Sequence, residues 1–569
     1  MIGVIPKEGQ TQVVQEFFEL FKTPWEFYKP GRRYDVVVAT ADDLPEIDAR
    51  LLLAYGCQSK NTDARHGTVV HSRLRGARLP YQQTGLPVYG ELATFGQGDS
   101  SVPCITTSAG VVGLRNVSAT GGVAIRLGYD LFQEVEFLLM QGQPVEYAQI
   151  PTLDLHIQML RNWILNEDIP LLELRPVPQG YSFTVCLTHD IDFVGIRNHK
   201  FDHTMWGFLF RSTVGAAWKY LNRRISINRL LKCWRAAASL PFVFLGWVED
   251  FWDPFDWYLR VERGLGATYF LIPFKQRSGE RVPGRYAFRR AAPYEVAELT
   301  QQTGTLQQQG CELGVHGIDA WHSAEKGRIE SAKIAKNVNR PPTGIRMHWL
   351  LQDSETPRIL DESGYAYDST AGYNETIGYR NGTSQVFRPL VASRLLELPL
   401  HIQDGALFYP HNLNLTESEA AKRCKSLLGN AHELGGVLTL LWHDRSHAAE
   451  RFWGEFYLKL IQTLKSSGVW FATCAQAVEW FRKRRKVGLE YRETADGAVT
   501  SVRYQGETPV PSFTLRVYRR ATANYEGQLS SDVAITYVDF PWNGETKMEF
   551  DSKLNKIPEV RAEPPAVTL

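Results

Sequence analysis

The sequence predicts an α/β protein in which a (β/α) barrel lies between an N-terminal α/β domain and a small C-terminal all-β domain. With 569 residues the chain exceeds what one core usually organises, at about 100 to 200 residues per domain. Between residues 181 and 484 short apolar runs alternate with amphipathic stretches, which is typical of βα units around a parallel sheet. After residue 484 apolar and polar residues alternate with turn residues, as in antiparallel strands.

The N-terminal segment, residues 1–180, is predicted to form an α/β domain that ends in a helical linker. Residues 35–40 (DVVVAT) are a β-branched run, and short alternating segments continue to about residue 128. From Tyr129 the apolar residues recur at helical spacing, first in LFQEVEFLLM and then in LDLHIQMLRNWIL. Two helices are therefore expected to link this domain to the next.

The barrel segment, residues 181–484, contains seven apolar runs that are each predicted to form a strand. Helices are predicted between them, for example over 293–309 and from the capping box Thr416 to Glu419 onwards. Chemistry in such barrels lies at the C-terminal ends of strands, so the polar residue that ends each run is a candidate site residue. The runs are residues 182–192, 267–274, 311–317, 343–349, 365–370, 395–400 and 436–443.

The C-terminal segment, residues 485–569, is predicted to be an all-β appendage followed by a tail. Its segments YRETADGAVTSVRYQG, SFTLRVYRR and DVAITYVDF alternate apolar and polar residues, with turn residues between them. Residues 552–569 are Pro-rich, charged and without periodicity, which predicts a mobile tail.

The composition excludes several classes of protein. Lys plus Arg (63) nearly balances Asp plus Glu (62), and 44% of residues are apolar, which argues against a disordered chain and a basic nucleic-acid-binding protein. The seven cysteines are scattered and lack C-x-x-C spacing, so we expect a reducing compartment rather than disulfides or a thiolate zinc site. The sequence shows neither a secretory signal pattern nor a run of about 18 apolar residues. A soluble, cytoplasmic protein is therefore expected.

The first strand-end motif is T-H-D-I-D, at residues 188–192. Side chains alternate along a strand, so Asp190 and Asp192 point to the same side, where two carboxylates repel unless a cation or a shared proton lies between them. One is a natural metal ligand and the other a natural base. The alternative is that the D-x-D only caps the following turn.

Three further runs end in His, Arg and His. G-V-H-G contains His316 and is followed by Asp319 and His322, ordinary zinc ligands, although a lone His is more often a satisfied core residue. In T-G-I-R-M-H, Arg346 can clamp a carboxylate or form a rim salt bridge. In L-T-L-L-W-H-D, His443 is a candidate general acid.

With these motifs the sequence resembles the polysaccharide deacetylases, the NodB-homology or carbohydrate esterase family 4 group. The resemblance covers residues 181–484 and is greatest to a bacterial branch with the T-H-D-x-D motif and an extra N-terminal domain. It implies a distorted, incomplete (β/α) barrel and a metal site that usually holds zinc. Further motifs of this branch are W-D-P-F-D-W (252–257), Y-D-S-T (367–370) and G-Y-R-N-G-T (378–383). Its extra N-terminal domain ends in a segment of the type G-Y-D-L-F, which is found here at residues 128–132.

The resemblance implies a role for each strand-end residue. Asp190 corresponds to the base, and Asp192 and His316 correspond to the first two metal ligands. Arg346 corresponds to the residue that orients the base, and His443 to the acid that protonates the leaving group. The metal that these ligands imply is Zn²⁺ or another divalent transition metal.

The third metal ligand departs from the family pattern H-x-x-x-H, because Ala320 stands four residues after His316. His322 is the nearest histidine and Asp319 the nearest carboxylate. We favour His322, since a loop after the strand can bend back toward the metal, whereas Asp319 requires a tighter turn. The sequence therefore leaves both residues as candidates for the third metal ligand.

An acid such as His443 needs a carboxylate beside it to keep the imidazole protonated. Asp368 and Asp404 each follow closely after a strand candidate. The sequence does not choose between these two supporting residues.

Residues 195–248 form a basic, Trp-rich insertion that is predicted to be helical. It carries nine Lys or Arg and four Trp against one acid, Asp202. Such helices suit an anionic, partly apolar partner, namely a membrane interface or a lipid-linked pyrophosphate sugar. The apolar run 236–248 is too short to span a bilayer. The alternative is a helical lid packed on the barrel with a solvated basic face.

The predicted function is a metal-dependent hydrolase that removes acetyl groups from an N-acetylated sugar or polysaccharide in bacterial surface polysaccharide biosynthesis. The expected partner is a carbohydrate, with a lipid-linked sugar as one form, and not a nucleic acid. A cyclic amidase of the same superfamily is the alternative enzyme. A non-catalytic carbohydrate-binding scaffold is the alternative of another class.

Overall fold

The computed structural model describes residues 1–81, 85–96, 101–117, 121–282, 284, 286–494, 497–520 and 535–557. These residues fall into two compact units. One contains Met1–Leu139, Thr152–Gln179 and Trp480–Leu569, and the other contains Met140–Pro151 and Gly180–Glu479. The division into three domains predicted from the sequence stays a prediction. Most of the predicted tail, residues 558–569, lies outside the described residues.

The strands and helices are numbered in chain order. The strands are β1 (Ile2–Ile5), β2 (Trp25–Phe27), β3 (Tyr34–Ala39), β4 (Ala49–Tyr55), β5 (Val69–Leu79), β6 (Leu86–Gly96), β7 (Ser101–Thr107), β8 (Gly110–Val117), β9 (Val123–Leu127), β10 (Leu171–Leu174), β11 (Thr184–Ile191), β12 (Ala267–Leu271), β13 (Glu312–Gly317), β14 (Gly344–Met347), β15 (Tyr367–Asp368), β16 (Leu396–Glu397), β17 (Ile402–Gln403), β18 (Val437–Leu441), β19 (Trp470–Phe471), β20 (Gly488–Thr494), β21 (Gly497–Arg503), β22 (Phe513–Arg520), β23 (Ile535–Trp542) and β24 (Met548–Phe550). The α-helices are α1 (Thr11–Phe21), α2 (Leu131–Met140), α3 (Thr152–Asn166), α4 (His203–Phe210), α5 (Ala216–Leu221), α6 (Ile227–Phe244), α7 (Phe255–Val261), α8 (Thr300–Gln308), α9 (Ala324–Ala335), α10 (Thr356–Ser363), α11 (Asp404–Phe408), α12 (Glu417–Leu434), α13 (Trp453–Lys465) and α14 (Cys474–Arg485).

The first unit contains one large mixed sheet and two small antiparallel sheets. The large sheet has the order β2-β1-β3-β4-β9-β8-β6-β5, and β7 pairs with β8. Strands β1 to β4 and β9 pair in parallel, while β5 to β8 pair as antiparallel strands. The small sheets are β10-β22-β23 and β20-β21-β24. The α/β character of the N-terminal region and the β character of the C-terminal region are confirmed.

The second unit is built on a parallel sheet with the order β16-β15-β14-β13-β12-β11-β18-β17, and β19 adds to β11. Its two ends, β16 and β17, are not hydrogen-bonded to each other in the described residues, so the barrel is incomplete, as the resemblance implies. All seven predicted strands are present. The two short strands β17 and β19 are additions that the sequence analysis did not predict.

The sequence explains why this sheet lies in the core of the second unit. Strands β11, β12 and β18 are buried along their whole length, as their near-continuous apolar runs require in a parallel sheet covered on both faces. The predicted capping box is observed at the start of α12, where the Thr416 hydroxyl accepts from the Glu419 amide and the Glu419 side chain accepts from the Thr416 amide. The register pairs Thr188 with Leu441, which brings the ends of β11 and β18 together.

The basic insertion after β11 is helical, as predicted. Helices α4 and α5 are joined by a π-turn over residues 211–215, and α6 follows. Their buried side packs on the barrel unit through Phe208, whose ring centroid lies 5.7 Å from that of the buried Trp252. Among the helices of the described residues, none combines the length and the apolar composition that spanning a bilayer requires.

Candidate active site

Three side chains at the C-terminal edge of the parallel sheet offer ligand atoms to one point. Asp192 Oδ1 lies 3.5 Å from His316 Nε2 and 3.4 Å from His348 Nδ1, and the two imidazole nitrogens are 2.8 Å apart. Asp192 Oδ1 is buried and has no hydrogen-bond partner in the described residues. One carboxylate oxygen and two imidazole nitrogens are an ordinary donor set for zinc. The group therefore fits a divalent transition metal.

The surroundings of this group keep its ligands in the metal-binding form. His316 Nδ1 lies 3.0 Å from the Arg346 carbonyl and donates to it, which leaves the Nε2 lone pair free for a metal. Burial lowers the pKa of His348 well below its ordinary value, so its imidazole is neutral. Burial would raise the pKa of Asp192, but His348 and His316 outweigh it and the pKa lies below the ordinary value.

Asp190, the predicted base, is held by Arg346. The guanidinium donates from Nη1 to Asp190 Oδ1 over 3.0 Å and to the Thr188 hydroxyl over 2.8 Å. Its other nitrogens donate to the carbonyl and the hydroxyl of Ser369. Arg346 is fully buried and lies over the Phe270 ring at 4.5 Å, so its orientation is fixed.

The Arg346→Met variant is expected to lose about 3 to 5 kcal/mol of unfolding free energy, because it leaves Asp190 as a buried carboxylate without its ion-pair partner. Denaturant unfolding of the purified variant measures this. The control is Arg358→Met, since Arg358 pairs with Glu355 and Glu362 at the surface and its loss should change stability little. Equal losses in the two variants would contradict the importance of the buried pair.

His443, the predicted acid, is paired with Asp404. Its Nδ1 lies 2.6 Å from Asp404 Oδ1, and its amide donates to Asp404 Oδ2 over 2.8 Å. The Ser446 hydroxyl also donates to this carboxylate. Burial acts to lower the pKa of His443, but Asp404 outweighs it and raises the pKa to about 10. Asp404 itself is fully buried, yet His443 keeps the pKa of the carboxyl below its ordinary value.

Asp368, the other candidate partner of His443, lies in β15. It accepts from the Thr370 hydroxyl over 2.5 Å and lies beside the buried carboxyl of Glu397. Burial raises the pKa of Asp368 to about 6 and that of Glu397 well above its ordinary value. Of the two supporting residues named from the sequence, Asp404 is the one in contact with His443.

His322 and Asp319, the two third-ligand candidates, lie outside the metal-binding group of the described residues. They contact each other instead, with His322 Nε2 3.2 Å from Asp319 Oδ1. Asp319 Oδ1 also accepts from the Glu280 amide. His348 takes the position beside Asp192 and His316 that the sequence analysis gave to His322. The physical reason is local, because Ala320–His322 form a 3₁₀ turn in which the His322 ring lies beside Asp319.

The sequence-based prediction of the metal ligands did not include His348. The residue ends T-G-I-R-M-H two positions after Arg346, and strand alternation points both side chains to one side. The sequence analysis also missed Asp444, which accepts from the amides of Phe193 and Val194 over 2.6 and 3.2 Å. Asp444 therefore ties the loop after Asp192 to the loop after β18.

The candidate active site lies in a cavity of about 930 Å³. The Asp192, His316 and His348 group lies in its wall together with Asp190 and His443. The helical insertion contributes Thr204, Gly207 and Arg211 to the same wall. The insertion is thus part of the binding cavity as well as a covering of the barrel.

No protein-family description matches the sequence, and no curated protein matches it either. Solved structures resemble it at low identity. One is a candidate polysaccharide deacetylase from Mycobacterium smegmatis, with 18% identity over 55% of this chain and 95% of that one and a TM-score of 0.33. The carbohydrate deacetylase Agd3 is 10% identical over 96% of this chain and 98% of that one, with a TM-score of 0.35. Puue allantoinase is 13% identical over 53% of this chain and 91% of that one, with a TM-score of 0.31. All three TM-scores lie below 0.5.

Proposed function

We propose that the protein is a metal-dependent hydrolase that removes acetyl groups from an N-acetylated sugar or polysaccharide, in surface polysaccharide biosynthesis. One observation carries this proposal. A metal-binding group, a carboxylate held by a buried arginine, and a histidine paired with a buried aspartate line one cavity. These are the groups that hydrolysis of an unactivated amide needs.

Asp192, His316 and His348 are the residues that would hold the metal. A divalent cation there supplies Lewis acidity, which lowers the pKa of a water molecule and polarises an acyl carbonyl. The ligand set has two imidazoles and one carboxylate, as in catalytic zinc sites that keep a position open.

The protein's own residues perform the proton transfers. Asp190 lies beside the metal-binding group, with Oδ2 3.6 Å from His316 Nε2, and accepts the proton that the attacking water loses. Arg346 orients this carboxylate. His443 uses Nδ1 to contact Asp404, so its Nε2 proton is available for the leaving nitrogen. The products are acetate and the free amine of the sugar.

The test is acetate release from an oligomer of N-acetylglucosamine by the purified protein. We expect about one zinc per chain, loss of acetate release after chelation, and recovery after zinc is added back. Zinc binding with ring opening of a cyclic amide, but no acetate release from sugars, would favour the cyclic amidase. Absence of metal binding even after zinc addition would favour the scaffold.

We further propose that the insertion contacts an anionic membrane surface, where it would meet a lipid-linked sugar. A row of apolar residues spaced three or four apart runs along the outer side of α4, the π-turn and α5, and basic residues flank it. The row is Trp206, Phe210, Val214, Trp218 and Leu221, each more than half exposed, and exposed basic residues near it in the chain include Lys200, Lys219, Arg223 and Arg224.

Binding to vesicles is expected to require anionic lipid and to weaken as salt is raised, since each nearby Lys or Arg contributes about 1 kcal/mol. Vesicle sedimentation measures it. The Trp218→Ser, Leu221→Ser double variant should lose binding, whereas Val102→Ser, Val510→Ser, at exposed positions outside the insertion, should retain it. If the protein binds neutral and anionic vesicles with equal affinity, or binds neither, the result contradicts the membrane contact and favours the alternative that the insertion is a lid on the barrel.

A further inference from the structure

Two arginines in the wall of the active-site cavity donate no hydrogen bond from their guanidinium groups in the described residues. Arg445 lies two residues after His443, and in the described residues its guanidinium makes no hydrogen bond or ion pair. It stacks on the Phe193 ring at 3.7 Å and lies 5.3 Å from that of Trp252. This stacking fixes the guanidinium plane while its N–H groups stay available.

Arg211 comes from the helical insertion and begins the π-turn over residues 211–215. Its Nε and Nη2 are buried and have no hydrogen-bond partner among the described residues. The nearest carboxylate oxygen, Glu450 Oε1, is 3.9 Å away and accepts instead from the Trp252 indole over 3.1 Å. A guanidinium in this state lacks the hydrogen bonds that buried donors normally make.

A third arginine adds to the positive charge. Arg451 is buried behind the cavity and lies over the Tyr409 ring at 5.0 Å. Burial and then the charge of Arg451 lower the pKa of Arg211 to about 10, and the same two causes lower the pKa of Arg445. The buried carboxylates that act on these three guanidinium groups are Glu450, Asp444 and Asp404, and in the described residues none of them accepts a hydrogen bond from the guanidinium of Arg211 or Arg445.

We infer that Arg211 and Arg445 bind a phosphoryl group that the sugar substrate carries. The inference rests on the proposed function, since it places the acylated sugar at His443 and its phosphoryl group beside Arg445 in the same cavity. A phosphoryl group offers several oxygens and up to two negative charges, which match the free N–H groups and the positive charges of the two guanidinium groups. The insertion then contributes to substrate recognition through Arg211.

The experiment compares N-acetylglucosamine 1-phosphate, N-acetylglucosamine and inorganic phosphate by calorimetric titration of metal-depleted protein, so that binding is measured without turnover. We expect the sugar phosphate to bind on the order of 10-fold or more tightly than either of the others, with an affinity that falls as salt rises. Equal affinity for the two sugars, or for sugar phosphate and inorganic phosphate, would overturn the inference.

The Arg211→Gln, Arg445→Gln double variant should bind the two sugars equally. The matched control is Arg223→Gln, Arg224→Gln, two exposed arginines of the insertion that do not line the cavity, and it should keep the preference for the sugar phosphate. Thermal unfolding shows whether the double variant folds. If the double variant does not fold, the single variant Arg211→Gln replaces it in the comparison, because the Arg211 side chain is partly exposed. A preference retained in Arg211→Gln and in the double variant would contradict the assignment.

This inference and the proposed function can fail separately. If acetate is released from neutral sugars at the same kcat/KM as from sugar phosphates, the result supports the deacetylase function and contradicts the phosphoryl site. Tight binding of the sugar phosphate that needs Arg211 and Arg445, without acetate release from any N-acetylated sugar after zinc is restored, would support the phosphoryl site and reject the deacetylase.

Discussion

The His348→Ala variant is expected to lose tight zinc binding and with it all hydrolysis of N-acetylated sugars. His348 Nδ1 lies 3.4 Å from Asp192 Oδ1 and 2.8 Å from His316 Nε2, so its removal leaves the ion with two protein ligands. Zinc content after dialysis and zinc affinity in competition with a chelator measure the loss. Asp192→Ala and His316→Ala should have the same effect.

His322→Ala is the informative comparison, because His322 contacts Asp319 and not the metal-binding group. We expect this variant to keep one zinc per chain. Any loss of affinity should stay within the about 10- to 100-fold range of residues that only support a ligand. Loss of zinc in His322→Ala with retention in His348→Ala would reverse the assignment of the third ligand.

The Asp404→Asn variant is expected to lower kcat/KM by roughly 10²- to 10⁴-fold at neutral pH and to move its alkaline limb to lower pH. A general acid works only while protonated, so activity falls as the pH rises through the pKa of His443. Against the effect of burial, Asp404 raises this pKa to about 10, which keeps the acid protonated at neutral pH. Without the carboxylate the pKa falls, and the protonated fraction at neutral pH falls with it.

The pH dependence of kcat/KM for the free enzyme measures this shift. Asp368→Asn is the matched control, since Asp368 contacts Thr370 and Glu397 rather than His443, and the alkaline limb should stay in place. His443→Asn should remove the limb altogether. An unchanged profile in Asp404→Asn would show that this carboxylate does not set the protonation of His443.

The sequence alone determined most strands of the parallel sheet and the chemical character of their ends. Apolar runs of five to eight residues between helical stretches indicated buried strands, and the capping box at Thr416 specified where α12 begins. The same local patterns placed Asp190, Asp192, His316, Arg346 and His443 at strand ends. These signals are readable because hydrogen-bonding and burial along one strand or helix depend on residues close in sequence.

Which of these residues contact one another was decided only by the tertiary structure. Asp404 reaches His443 because β17 pairs with β18 in the register Gln403 to Leu441, whereas Asp368 follows Tyr367 in β15, which pairs with β14 and β16. His348 reaches the metal-binding group because His316 pairs with Arg346. Strand order and register are set by side-chain packing between segments far apart in the chain, so spacing along the sequence does not reveal them.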